Sequence, residues 1–255
     1  MPRSVRRTRP GPHSLLAELS PCAGLLACAI AAAFGCAPRQ APVAAPVPSL
    51  VAVRTLAPGI VFDMRYAGPN NFTGAPVPGY DAPECWLSPP AAEALAAVQR
   101  DLAQRKLGLV AWDCYRPQRA VTAFMHWAAD PDQTGRARWY PNVAKSALVP
   151  ESYIAERSGH SRGSTVDVGL VRHAADGRVE ELDMGTPFDF FDPRAHTAAQ
   201  GLSPEERKHR ALLVEAMRAR GFVNFDKEWW HYTLRDEPWP GTYLDVPVRT
   251  VSSPD

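Results

Sequence analysis

The fold of this chain can be worked out from one stretch, Ser158-Gly159-His160-Ser161-Arg162-Gly163-Ser164-Thr165-Val166-Asp167. Its two glycines and small hydroxyl residues predict a tight loop, because glycine adopts backbone conformations that other residues avoid. The apolar residues that begin at Val166 predict a strand directly after this loop. We therefore expect the loop and the strand to bring the imidazole of His160 and the carboxylate of Asp167 to one point.

An imidazole and a carboxylate are suitable ligands for a divalent metal, above all zinc. A third ligand is expected from a second stretch, Glu228-Trp229-Trp230-His231-Tyr232, in which aromatic residues surround His231. Three protein ligands with one open position are the pattern of a catalytic zinc site. Taken alone, the second stretch also fits an aromatic core strand with a structural histidine, but the presence of His160 and Asp167 favours the metal site.

Glu228, three residues before His231, is the expected general base. A carboxylate beside a metal site can take a proton from water and return it to a leaving amine. In a flat strand, residues three apart point to opposite faces of the sheet. The sequence therefore predicts a bulge or a bend here if Glu228 and His231 both face the metal.

Two further charged residues are candidates for the site. Arg116 follows a predicted buried strand, at a position where functional residues are common, and its guanidinium suits a developing oxyanion. The alternative for Arg116 is a structural ion pair with Asp113. Asp189 stands between two phenylalanines and suits the ammonium group of a free amino terminus; the alternative is an exposed turn residue.

The order of predicted elements indicates an α+β fold with a small central antiparallel sheet flanked by helices, a single domain, and zinc in a cleft on the sheet. Helices are predicted from Ser88 to Gly108, over 118–129, and from a capping box at Ser203 to Gly221. Strands are predicted at 51–53, 60–66, 109–112, 164–172 and 179–182, with a last strand region carrying the tryptophan pair towards Leu234.

The chain resembles the zinc D-alanyl-D-alanine dipeptidases of the vancomycin-resistance type, in the peptidase M15 family, over nearly all of residues 51–248. The motifs that carry the resemblance lie at 71–74, 113–117, 158–167, 188–190, 228–232 and 234–238. The resemblance implies one zinc ion per chain, with the ligands His160, Asp167 and His231. It implies the following further roles: Glu228 as general base and acid, Arg116 at the tetrahedral intermediate, Asp189 and Tyr66 at the amino end of a small dipeptide, and Ser158 close to the substrate.

The sequence predicts a leader and a tether over the first 48 residues, before a catalytic domain at 49–255. A basic start and an apolar run over 23–34, too short to span a bilayer, predict an export signal over 1–36. Cys36 follows small residues as in a bacterial lipobox, so it is a lipidation candidate and a route to the membrane. Residues 37–48 are a tether rich in proline and alanine. We expect a bacterial envelope location, either periplasmic or lipid-anchored.

Cys85 and Cys114 are the only cysteines of the predicted domain. In an oxidising compartment, such a pair is a disulfide candidate; two separate buried thiols are the alternative. The net charge of the chain is +1, which gives no indication of a nucleic-acid partner.

The predicted function is zinc-dependent hydrolysis of the dipeptide D-alanyl-D-alanine in peptidoglycan metabolism. One alternative is a D,D- or L,D-carboxypeptidase that acts on longer peptidoglycan stems. Another is an exported peptidoglycan-binding module that keeps the metal only for structure. Glu228 disfavours the module, because a closed structural site has no use for a spare carboxylate.

Overall fold

The computed structural model of the protein describes residues 48–174 and 176–250. The predicted leader, its lipidation candidate Cys36 and residues 37–47 of the tether lie outside the described residues and stay predictions. Within the described ranges, none of the helices combines the length and the apolar character needed to cross a bilayer.

The described residues form helices and strands in an α+β arrangement. The strands are β1 (Val51–Ala52), β2 (Val61–Phe62), β3 (Trp86–Leu87), β4 (Leu107–Asp113), β5 (Thr165–His173), β6 (Val179–Glu181), β7 (Phe222–Asn224) and β8 (His231–Leu234). The helices are α1 (Val53–Leu56), α2 (Pro89–Ala103), α3 (Gln118–Ala129), α4 (Arg136–Trp139) and α5 (Pro204–Ala219).

The central sheet of the described domain has six strands in the order β2-β4-β5-β8-β7, with β6 also paired to β5. The α+β prediction is confirmed, but the sheet is larger than predicted and is mixed instead of purely antiparallel. Strand β2 runs parallel to β4, which makes the sheet mixed. A parallel pair needs a crossover connection, and α2 lies in the connection between these two strands. With only two residues, β2 is too short for a sequence pattern to reveal its direction.

Helices α2 and α5 begin as the sequence predicts. Two prolines occupy the first turn of α2, where a missing N–H costs nothing. In α5, the side chain of Ser203 accepts from the backbone of Glu206, and the side chain of Glu206 accepts from the backbone of Ser203. Helix α2 ends at Ala103, earlier than Gly108, which lies inside β4.

Three local predictions differ from the structure. Val53 begins helix α1 instead of continuing a strand, and Arg65–Ala67 forms a 3₁₀ turn where a longer strand was expected. Trp229 and Trp230 lie in a turn before β8, which starts at His231. This last difference supplies the bend that Glu228 and His231 need to reach one cavity.

Candidate active site

The three predicted metal ligands come from neighbouring parts of the sheet. His160 lies in the 3₁₀ turn Gly159–Arg162, which Gly163 ends with a left-handed φ of 74° before β5 begins. Asp167 on β5 is directly paired with His231 on β8. Directly opposite residues of an antiparallel pair project to the same face, so strand register alone brings these two side chains together.

The donor atoms of these residues lie within 4.8 Å of one another. His160 Nε2 is 3.3 Å from both Asp167 Oδ1 and His231 Nδ1, and the last two atoms are 3.0 Å apart. Tetrahedral ligands about 2.0–2.1 Å from a zinc ion are separated by about 3.3 Å. Asp167 Oδ1 is buried and has no hydrogen-bond partner among the described residues. A cation between the three donors fits both observations.

A backbone carbonyl group orients the ring of His160. Its Nδ1 lies 2.6 Å from the carbonyl oxygen of Cys114, so an N–H at Nδ1 donates there and leaves Nε2 as the ligand atom. Cys114 is joined to Cys85 in a disulfide, with the two Cα atoms 5.2 Å apart. The disulfide therefore fixes the segment that supplies this carbonyl.

Asp167 is buried beside both imidazoles. Burial by itself raises the pKa of its carboxyl, but the nearby charges of His160 and His231 outweigh burial and lower the pKa below its usual value. The carboxylate is therefore kept in the ionised form that a metal ligand requires.

Glu228 lies in the turn before β8, with Oε2 3.5 Å from His231 Nδ1. The side-chain amide of Asn224 donates to the carbonyl oxygens of both Glu228 and His231, at 3.0 Å each, and so holds the bend. Burial, followed by the charge of Asp167, raises the pKa of Glu228 to about 8. A carboxyl with a pKa near neutrality can both accept and return a proton.

Arg116 both forms the structural ion pair with Asp113 and faces the cavity, the two roles that the sequence offered as alternatives. Its Nη2 and Nε lie 2.8 and 3.0 Å from Oδ2 of the fully buried Asp113, and the guanidinium also lines the cavity. The hydroxyl of Tyr80 donates to the other oxygen of Asp113 at 2.6 Å. Arg116 Nη2 lies 3.9 Å from Asp167 Oδ2, so the cation sits beside the metal ligands.

Asp189 is buried and is not an exposed turn residue. It has a φ of 61°, and each of its carboxylate oxygens lies 3.0 Å from the hydroxyl of Tyr66, which donates to them. Burial, followed by the charge of Asp167, raises the pKa of Asp189 well above its ordinary value. A bound ammonium group would offset that burial.

One cavity of about 220 Å³ brings the predicted site residues together. It is lined by the three predicted ligands and by five further residues, Glu228, Arg116, Asp189, Tyr66 and Ser158. Ser158 also caps the 3₁₀ turn of His160, whose backbone N–H donates to its hydroxyl. Sequence reasoning missed Tyr80 and Asn224 as supports, and Arg157 in the wall of the cavity. The supports have no local signal, because their partners are distant in the chain or are backbone atoms.

The α+β fold and a cavity that combines a candidate metal site with a buried glutamate define a class of protein, the metal-dependent hydrolases. The chain belongs to the peptidase M15 family, because the family model described as D-ala-D-ala dipeptidase matches residues 48–249. Proteins of this family are metal-dependent hydrolases.

Several curated proteins named D-alanyl-D-alanine dipeptidase are similar to the chain. The protein from Enterococcus faecium is 42% identical over 192 residues, which cover 75% of this chain and 94% of the relative. The protein from Streptomyces coelicolor is 42% identical over 197 residues, or 77% and 96% of the two chains. The protein from Escherichia coli is 32% identical over 185 residues, or 72% and 84%.

Proposed function

We propose that this protein hydrolyses the dipeptide D-alanyl-D-alanine with one zinc ion per chain. The observation that carries the proposal is the buried Asp189–Tyr66 pair in the same cavity as the three candidate ligands. Such a pair suits the ammonium group of an unblocked dipeptide. The names of the relatives agree with this substrate.

Two imidazoles and a carboxylate favour zinc, which when bound would polarise the peptide carbonyl and activate water. Glu228 takes the proton of the attacking water and passes it to the leaving amine. Arg116 donates hydrogen bonds to the oxygen on which negative charge develops. Because Asp113 already holds the guanidinium, little reorganisation is needed at that moment.

Asp189 separates the dipeptidase from the carboxypeptidase alternative. In a longer stem, the nitrogen that reaches Asp189 is a neutral amide, which leaves a buried carboxyl without a cationic partner. A buried polar group that loses its partner costs about 1–3 kcal/mol. We therefore expect unblocked dipeptides to be strongly preferred over stems.

Release of D-alanine tests the proposal, with D-Ala-D-Ala, N-acetyl-D-Ala-D-Ala and a pentapeptide stem as substrates. We expect rapid turnover of the unblocked dipeptide only, its loss with a chelator and its recovery with zinc. Faster cleavage of the stem would establish a carboxypeptidase instead. Stem binding with no turnover of any substrate would establish a binding module.

We also propose that the protein acts in the bacterial envelope, as the basic start, the apolar run and Cys36 suggest. The Cys85–Cys114 disulfide supports an oxidising compartment. Fractionation of cells that express Cys36→Ser is the test of lipidation. Release of the variant from the membrane fraction is expected, whereas unchanged membrane association would exclude Cys36 as the attachment point.

A further inference from the structure

A zwitterionic dipeptide needs a cationic partner for its carboxylate, as well as partners for its ammonium group and its carbonyl oxygen. Among the described residues that line the cavity, the arginines are Arg116 and Arg157. Arg116 is already paired with Asp113 through two nitrogen atoms and lies beside Asp167. Since Arg116 is also assigned to the carbonyl oxygen, Arg157 is the arginine of the cavity that is left for the substrate carboxylate.

Arg157 lies next to Ser158 at the exposed side of the cavity. No carboxylate oxygen among the described residues approaches its nitrogens within 4.0 Å. Its guanidinium carbon lies 5.3 Å from the ring centroid of Tyr243, a distance at which a cation is attracted to the ring.

Tyr243 also contacts a second arginine, Arg162, which is itself fixed by an ion pair. Arg162 lies 5.7 Å from the same ring and forms a two-point ion pair with Glu237, at 2.6 and 2.7 Å. The ring therefore offers Arg157 a fixed surface that holds the guanidinium without neutralising it. This arrangement leaves the planar fork of Arg157 able to receive a carboxylate.

We propose that Arg157 binds the carboxyl-terminal carboxylate of the substrate and makes the enzyme specific for peptides with a free carboxyl end. The proposal rests on the proposed dipeptidase function. Asp189 then selects for the charge at the amino end, and Arg157 selects for the charge at the carboxyl end.

The test compares D-Ala-D-Ala with its carboxyl-terminal amide, which lacks the negative charge, in the wild type and in Arg157→Gln. We expect Arg157→Gln to raise KM for the dipeptide by about 5- to 30-fold, between the effects of an exposed ion pair and of a charge-assisted hydrogen bond. The amide should change less than twofold. Arg178→Gln, which removes an equally positive but 69% exposed side chain outside the cavity, should leave both substrates unchanged.

Two additional variants make the test stricter. Arg157→Lys should recover part of the effect, because an ammonium group keeps the charge but not the planar fork. Tyr243→Leu should raise KM for the dipeptide less than Arg157→Gln does, since it removes only the surface that orients the guanidinium.

Equal effects of Arg157→Gln on the dipeptide and the amide, or no effect on either, would overturn the role of Arg157. Either result leaves the dipeptidase function intact, because the wild type still cleaves D-Ala-D-Ala. A wild type that fails to cleave D-Ala-D-Ala in the presence of zinc would instead overturn the proposed function, and the role of Arg157 with it.

Discussion

The metal-ligand region and the Asp189 loop are built in different ways. Asp167 and His231 lie on paired strands, so the hydrogen bonds of the sheet set their separation. Asp189 lies in the irregular segment between β6 and α5, where regular backbone pairing does not determine its position. The comparison teaches that the sheet sets the geometry of the candidate ligands, whereas the position of Asp189, which we propose binds the amino end of the substrate, depends on individual side chains.

The side chain that secures the Asp189 loop is Arg210 of α5. It is buried and donates to the carbonyl oxygens of Met184, Arg194 and His196, on both sides of Asp189. Burial lowers the pKa of Arg210 to about 10, so the group stays cationic at neutral pH. The guanidinium thus fixes the loop backbone by hydrogen bonds, as the hydrogen bonds between paired strands fix the candidate metal ligands.

The largest effect is expected from His160→Ala, which removes one ligand from the sheet-borne region. The wild type should contain about one zinc per chain, and the variant should lose both the metal and the activity, because two ligands hold zinc poorly. Metal analysis after dialysis is the measurement, with circular dichroism to check that the variant folds. Full zinc occupancy in His160→Ala would show that the ligand assignment is wrong.

Glu228→Ala should lower turnover by about 10²- to 10⁴-fold, the usual contribution of a general acid–base group. The metal should remain bound, since the three ligands are untouched. Parallel measurements of kcat and zinc content distinguish the roles. If the variant loses its zinc, Glu228 is a ligand and the proton-transfer role fails.

Arg116→Ala should lower kcat by about 10²- to 10³-fold, as for other lost oxyanion donors. It also leaves Asp113 buried without its cation, which destabilises proteins by about 3–5 kcal/mol. Arg116→Lys, which keeps the charge, is therefore the informative partner variant and should recover part of kcat. A rise in KM with kcat intact would mean that Arg116 binds substrate and transition state equally.

Arg210→Met should affect the Asp189 loop and leave the candidate metal ligands unchanged. Three loop carbonyls lose their donor, so we expect kcat/KM for D-Ala-D-Ala to fall by about 10- to 100-fold through displacement of Asp189. Zinc content should stay at the wild-type value. Arg220→Met, which removes a partly exposed arginine paired with Asp101, is the matched control and should be nearly silent.

Loss of zinc in Arg210→Met would contradict the comparison, because it would show that the loop and the sheet-borne ligands form one mechanical unit. Thermal unfolding of the same samples excludes simple loss of the fold as the cause.

The smallest effect on activity is expected from the double variant Cys85→Ser/Cys114→Ser. The bridge closes a loop between residues 29 positions apart, and its loss should lower the free energy of unfolding by about 3 kcal/mol. Activity should change only a few-fold, because the backbone carbonyl at position 114 remains. Urea unfolding and thiol titration of the denatured wild type are the measurements. Two titratable thiols in the unreduced wild type would rule the bridge out.

The same contrast explains how much the sequence could predict. The candidate ligands stand in short motifs that indicate both the residue type and the local backbone, so the sequence alone predicts His160, Asp167 and His231 as a set, and the structure brings their donor atoms together. The bend at Glu228 was predicted as a requirement, although its place before β8 was not.

The loop-borne features were less accessible from the sequence. Tyr66 and Asp189 are separated by 123 positions, so only a family resemblance could pair them. Arg210 shares the buried face of α5 with Leu213 and Met217, but its partners are backbone carbonyls, which carry no residue identity. The parallel direction of β2 depends on a crossover and not on the two residues of the strand.

The pairing of Asp167 with His231 also determines where this chain can tolerate insertions. Residues added at the exposed hairpin tip between β5 and β6 would leave the two ligands opposite each other, because the strands on either side keep their phase. One residue added within β8 would turn its side chains to the other face of the sheet and carry His231 away from Asp167. The length of this hairpin can therefore vary at the end of β5 that lies away from Asp167, without changing the register that holds the two candidate ligands together.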